Sequence, residues 1–68
     1  MQINKFYEHK HNKDNVVMYV LRITKRGKER ILHVEWYTKI PKIISMGLFQ
    51  DVVVNIDTFE DEWKMLNY

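Results

Sequence analysis

Two runs of β-branched and aromatic residues on either side of Gly27 constrain this chain more than any other feature. They cover residues 16–24 and 31–37. Side chains of these types fit a pleated, half-buried surface, so each run predicts a β-strand. Gly27 accepts the positive φ of a tight turn without steric cost. The sequence therefore predicts a β-hairpin with a two-residue loop at Arg26–Gly27.

This loop fixes which residues face each other across the hairpin. It sets Leu21 opposite Leu32 and Val17 opposite Trp36, and a four-residue loop from Lys25 to Lys28 would give the same pairs. A slip of one residue would turn His33 toward the core, which burial disfavours because strand side chains alternate between faces. The predicted core face consists of Val17, Tyr19, Leu21, Ile23, Leu32, Val34 and Trp36. The predicted half-solvated face consists of Val16, Met18, Val20, Arg22, Ile31, His33, Glu35 and Tyr37.

The segments flanking this hairpin supply further elements. Residues 1–10 are predicted to form a first strand that pairs with the strand at 16–24 through a polar turn at 11–15. Residues 38–47 contain Pro41, which removes a hydrogen-bond donor and favours a loop or edge segment. Apolar side chains in this segment are expected to cap the core or to form a patch for a partner. They are Ile40, Ile43, Ile44 and Met46.

The last third of the chain predicts a strand and a helix. Residues 48–56 are nearly continuously apolar, so this strand is expected to be covered on both faces. Residues 57–66 fit a short helix with Thr58 as its N-cap and Asp61 three residues later. Phe59, Trp63 and Leu66 would then form one apolar stripe. The alternative is a single helical turn followed by a last strand over 63–68.

Chain length and composition limit the fold class. A chain of 68 residues without cysteine is expected to form a single domain, residues 1–68, near the lower size limit for independent folding. The predicted fold is mainly β, a small antiparallel barrel or curled sheet of four or five strands with one short C-terminal helix. Its arrangement looks like a small SH3-like barrel. An open curled sheet crossed by the helix and stabilised as a dimer is the alternative.

Charge is unevenly distributed along the chain. Residues 1–47 hold ten Lys/Arg and four Asp/Glu, a net of +6, whereas residues 48–68 hold one Lys and five Asp/Glu, a net of −4. The basic hairpin predicts a contact site for nucleic acid or for a partner protein, since cations with nearby aromatic rings suit phosphates and bases. The candidate binding residues are Arg22, Lys25, Arg26, Lys28, Arg30, Tyr37, Lys39 and Lys42. The competing interpretation is a charged tip that only solvates the hairpin and prevents edge pairing.

Catalytic and metal-binding patterns are weak in this sequence. His9 and His11 have a metal-like spacing, but a zinc site needs three or four ligands. Ser45, His33 and Glu35 can be arranged as a hydroxyl, imidazole and carboxylate set, yet nothing in their spacing favours it. We therefore expect a non-enzymatic protein with no catalytic residues, no metal and no cofactor.

The sequence lacks alanine and is rich in lysine, isoleucine and asparagine, which is typical of short reading frames of phages or mobile elements in low-GC bacteria. On this basis the expected function is a small regulator or inhibitor that binds a host protein. The alternatives are a nucleic-acid-binding accessory protein and a structural subunit of an assembly. No apolar run reaches membrane-spanning length and no signal peptide opens the chain, so the expected location is cytoplasmic, without a membrane partner. A homodimer is compatible with the small size.

Overall fold

Five strands and one helical turn make up the part of the chain that the computed structural model describes, residues 1–11 and 14–67. The elements are β1 (Phe6–His9), β2 (Val16–Arg26), β3 (Glu29–Thr38), β4 (Ile44–Asn55), α1 (Phe59–Glu62) and β5 (Trp63–Leu66). All strand pairs are antiparallel, in the order β4-β3-β2-β1-β5. The mainly β prediction with one short helix is confirmed. The sheet is not closed into a barrel, because β4 and β5 lie at opposite edges, and the SH3-like arrangement is not confirmed.

The turn of the β2–β3 hairpin lies one residue later than predicted. Arg26 pairs with Glu29, so the two-residue loop is Gly27–Lys28. Gly27 has a φ of 59° at the first loop position, where a type II′ turn requires a positive value. The register near the tip is therefore displaced by two residues, and Ile23 lies opposite Leu32.

A β-bulge at Leu21 changes which face the first half of β2 presents to the core. The pairing passes from Arg22 opposite His33 to Val20 opposite Val34, so Leu21 is an extra residue. One extra residue reverses the alternation of faces along the bulged strand. The predicted core face is consequently wrong for Val17, Tyr19 and Leu21 and correct for Ile23 and the β3 residues. Met18 and Val20, predicted to lie on the half-solvated face, are buried in the core instead.

The hydrophobic core lies between the sheet and α1, on the face that we call the core face. Its buried members are Tyr7, Met18, Val20, Leu32, Val34, Val54 and Phe59, with Ile23, Trp36, Val52 and Trp63 packed against them. Phe59 lies edge-on to Tyr7, with ring centroids 5.2 Å apart. Val17 is also fully buried but belongs to the opposite face, which we call the outer face.

The C-terminal segment follows the alternative prediction of a helical turn and a last strand. Only Phe59–Glu62 is helical, and Trp63–Leu66 forms β5 against β1. The predicted helix over 57–66 is wrong, because Trp63 has extended backbone (φ −123°, ψ 138°). Thr58 occupies the N-cap position, but its side chain makes no capping hydrogen bond. Tyr68 lies outside the described residues.

The remaining boundaries differ modestly from prediction. The first strand is limited to Phe6–His9 and pairs with β2 as expected. The predicted turn at 11–15 falls partly outside the described residues. The fourth strand begins at Ile44 rather than Leu48, which brings part of the predicted Pro41 segment into the sheet.

Candidate functional site

The hairpin tip, residues 25–30, carries less free positive charge than its composition indicates. Arg26 donates to a carboxylate oxygen of Glu29 from Nε at 3.1 Å and from Nη2 at 2.9 Å. Lys28 Nζ lies 3.6 Å from a carboxylate oxygen of Asp57. Arg30 Nη1 donates to the backbone carbonyls of Gly27 and Glu29, both at 2.8 Å.

Lys39 and Lys42, the predicted contact residues after β3, do not form one continuous surface with the tip. Lys39 follows the last residue of β3, far from the turn, and its ammonium donates to both carboxylate oxygens of Glu8 at 2.9 and 3.0 Å. Lys42 is exposed in the connection before β4. Arg22 and Lys25 are exposed, and neither makes an ion pair within residues 1–11 and 14–67.

Tyr37 belongs to an aromatic cluster on the outer face rather than to a free stacking surface. Its ring lies 5.1 Å from that of Phe6 and 6.1 Å from that of Tyr19, measured between centroids. Burial raises the pKa of the Tyr37 phenol above its ordinary value, and the negative charge of Glu35 and a hydrogen bond to that carboxylate raise it further. The neutral phenol is thus held in place by its neighbours.

His33 connects three strands on the outer face. Its Nε2 lies 2.9 Å from Thr24 Oγ1 and its Nδ1 lies 2.7 Å from Asp51 Oδ1. The arrangement drawn from the sequence is different from this one, since Ser45 donates to Glu35 instead of approaching His33. Acyl transfer also needs preorganised donors for an oxyanion, and the surrounding backbone belongs to the β2–β3–β4 ladder. The contacts of His33 therefore act as a cross-strand link.

The two N-terminal histidines contact each other and not a set of further ligands. The backbone N–H of His11 donates to Nδ1 of His9 at 3.2 Å, and the His9 ring lies edge-on to Trp63 with centroids 4.9 Å apart. Within residues 1–11 and 14–67, no group of three or more ligating side chains comes together.

β4 presents the most unusual surface of the described chain. It is an edge strand of twelve residues, ten of them exposed, and Asp51 is its one charged residue. Phe49 has 69% of its surface accessible to solvent, and four more large apolar side chains are 42–53% exposed. We define the β4 edge by these five residues, Ile44, Met46, Leu48, Phe49 and Val53.

Apolar surface extends from the β4 edge onto both faces of the sheet. On the core face, an open depression of about 240 Å³ is lined by Val16, Trp36, Met46, Leu48 and Gln50. Trp36 Nε1 donates to Gln50 Oε1 at 2.9 Å, which fixes the indole beside this depression. On the outer face, Leu21 and Phe49 line a second depression together with His33 and Asp51. A partner at this edge would therefore meet apolar groups on both sides.

The sequence predicts only part of the β4 edge. It predicts Ile44 and Met46 as members of a partner patch in one of two alternatives, and their exposure agrees with that alternative. The expectation that residues 48–56 are covered on both faces is wrong, because Leu48, Phe49 and Val53 are exposed. No local signal could have found the edge, because edge strands are ordinarily protected by lysine or proline and an apolar strand without them resembles an interior one.

Comparisons with known proteins identify no relative of this chain. No helix in the described part of the chain is long and apolar enough to cross a membrane. No protein-family model, curated protein or solved structure matches this chain at a significant level.

Proposed function

We propose that this chain is a non-enzymatic protein-binding module, a small regulator or inhibitor encoded by a phage or mobile element that binds a host protein in the cytoplasm. The β4 edge carries this proposal. An unpaired edge strand offers a row of backbone donors and acceptors to an added strand. Along β4, exposed apolar side chains accompany that row over twelve residues with one charge.

The chemistry of this edge favours a protein over a nucleic acid as its occupant. Affinity for nucleic acid comes largely from cations that neutralise phosphates, and β4 contains none. An added polypeptide strand would satisfy backbone groups and place alternate side chains on the two faces. Leu48 and Phe49 have 53% and 69% of their surface still to bury against a partner, and burial of apolar surface is favourable.

Capture of a target by matched variants tests this proposal. Phe49→Lys with Val53→Lys places two charges on the β4 edge. Ile3→Lys with Met65→Lys adds the same charge at exposed apolar residues outside β4, one before β1 and one on β5. We expect the wild-type chain and the second variant to capture the same protein from nuclease-treated lysate of a low-GC bacterium, and the β4 variant to lose it. Capture of that protein by both variants alike would contradict the proposal.

A nucleic-acid-binding accessory function is the second candidate. Arg22 and Lys25 favour it, because both are exposed and neither makes an ion pair in the described part of the chain. Arg26, Lys28 and Arg30 flank them at the hairpin tip, although acidic or carbonyl groups already contact each of these three. Binding of this kind depends steeply on salt concentration, which separates it from docking at the β4 edge.

A further inference from the structure

We propose that a second copy of this chain pairs with the β4 edge. The two β4 strands would run antiparallel across a two-fold axis normal to the sheet and join two five-stranded sheets into one. This inference rests on the surface used by the proposed function and names the occupant of that surface in the absence of a target.

The two edges of the sheet are protected to different degrees. The edge strand β5 has four residues, and Lys64 is one of them. Short edge strands and lysine side chains both prevent pairing with another chain. β4 is three times as long and has neither lysine nor proline. Pairing between copies is therefore expected at β4 and not at β5.

An isologous contact at β4 is compatible with its side chains. A two-fold axis normal to the sheet keeps the same face upward in both copies, so residues of one face meet residues of that face. Each register brings one residue face to face with its equivalent, and the apolar candidates are Phe49 and Val53 on the outer face and Leu48 on the core face. Asp51 is the one group that opposes pairing, since two carboxylates placed directly opposite destabilise a sheet. Registers with Asp51 on the axis are therefore excluded.

The charges outside β4 do not prevent this contact. The Asn55 end of β4 lies beside the hairpin tip, and in the dimer this end would approach Lys42 of the other copy. Glu29 and Asp57 already neutralise Arg26 and Lys28 at the tip. The net charge of each copy is only +2, so long-range repulsion between copies is weak.

The available area also suits a dimer. A stable interface buries about 800 Å² on each partner, which is about one sixth of the 4762 Å² that this chain exposes. β4 holds 12 of the 68 residues, and ten of these twelve are exposed. Leu21 and Trp36 extend this surface on the two faces. The copy at β4 would compete with a target protein for the same backbone groups.

Sedimentation of the full chain from micromolar to millimolar concentration tests the inference. We expect the wild-type chain and the Ile3→Lys, Met65→Lys variant to form a dimer. The dimer dissociation constant of the Phe49→Lys, Val53→Lys variant should be at least about tenfold higher. Far-ultraviolet circular dichroism should show that this variant remains folded. A wild-type chain that stays monomeric at millimolar concentration, or equal weakening by both variants, would overturn the inference.

A cysteine scan provides a second test that does not depend on weakening the interface. The sequence has no cysteine, so a single introduced thiol can oxidise only with the same residue of another copy. We expect rapid cross-linking at one residue between Leu48 and Val53, other than Asp51, and slow cross-linking for Met65→Cys on β5. Cross-linking of Met65→Cys as fast as the best β4 variant would exclude the β4 dimer.

The outcomes separate this inference from the proposed function. If the chain is monomeric and its capture of a target depends on the β4 edge, the dimer is excluded and the protein-binding function stands. If the chain dimerises through β4 but β4 variants capture the same proteins as the wild-type chain, the dimer stands and target binding at the β4 edge is excluded.

Discussion

At the scale of single residues, Tyr37 shows how the outer face controls an ionisable group. Partial burial raises the pKa of this phenol above its ordinary value of 10.0, and Glu35 raises it further through its charge and through the hydrogen bond that Tyr37 donates. The folded state therefore binds the phenol proton more tightly than the unfolded chain. By linkage, the stability that this proton contributes is fully present below the ordinary pKa and is lost as pH rises through the folded-state pKa.

We predict that Tyr37 in the folded protein titrates above its ordinary pKa of 10.0, and that Glu35→Gln lowers its midpoint toward that value. The difference in tyrosinate absorbance between the wild-type chain and Tyr37→Phe isolates this group from the other tyrosines. Urea unfolding between neutral and alkaline pH should show a smaller loss of stability for Tyr37→Phe than for the wild-type chain. A Tyr37 midpoint at or below the ordinary value would contradict the described contact with Glu35.

At the scale of elements, the bulge in β2 gives two leucines of the same hairpin opposite surroundings. Leu32 is fully buried on the core face, whereas Leu21 is 41% exposed at the bulge. Removing a fully buried leucine side chain leaves a cavity and costs about 2–5 kcal/mol. An exposed substitution ordinarily changes stability by about 0.5 kcal/mol or less.

We therefore predict that Leu32→Ala destabilises the chain by about 2–5 kcal/mol and that Leu21→Ala has a much smaller effect. Urea unfolding followed by tryptophan fluorescence measures both changes, and the matched substitution removes the same atoms in each case. If Leu21→Ala proved as destabilising as Leu32→Ala, the unbulged register expected from the sequence would be correct.

The same bulge marks the limit of what the sequence could predict. Residue types identify the first four strands, the antiparallel hairpin and the inward side chains of β3, because these follow from local composition and, in β3, from alternation. The bulge has no such marker, since Leu21 lies within a continuous apolar run. Its single extra residue turns Met18 and Val20 to the core face in place of Val17 and Tyr19.

The structure of the C-terminal segment and the position of the β4 edge could not be predicted from the sequence, for different reasons. Phe59, Trp63 and Leu66 fit a helical stripe as well as they fit a turn followed by a strand, so spacing alone could not decide between the two. The β4 edge depends on strand order, because the same apolar strand would be covered if it lay inside the sheet. Position within a sheet is a property of long-range pairing and leaves no local pattern.

At the scale of the whole molecule, two surfaces offer different kinds of binding. The β4 edge is apolar and almost uncharged, whereas the hairpin tip is basic and hydrophilic. Both tip ion pairs involve side chains about half or more exposed, and such pairs contribute only about 0–1 kcal/mol. The tip can therefore be altered with little effect on the fold, which allows the two candidate functions to be separated.

The variant that decides between them reverses Lys25, Arg26 and Lys28 to glutamate. It replaces three cations by three anions, a change of −6 that takes the net charge from +2 to −4. Reversal of Lys5, Lys10 and Lys64 to glutamate is the control, since it gives the same net charge at exposed residues away from the tip.

If the protein binds through the β4 edge, we expect both variants to capture the same target as the wild-type chain. If the tip binds nucleic acid, affinity should fall more for the tip variant than for the control. The slope of log affinity against log salt should then flatten by about 0.7–0.9 for each phosphate that the tip variant no longer neutralises. Binding to single- and double-stranded DNA and RNA at two salt concentrations measures this, with circular dichroism to check folding. Equal weakening of binding in both variants would indicate a response to net charge, and it would remove the hairpin tip as a specific nucleic-acid site.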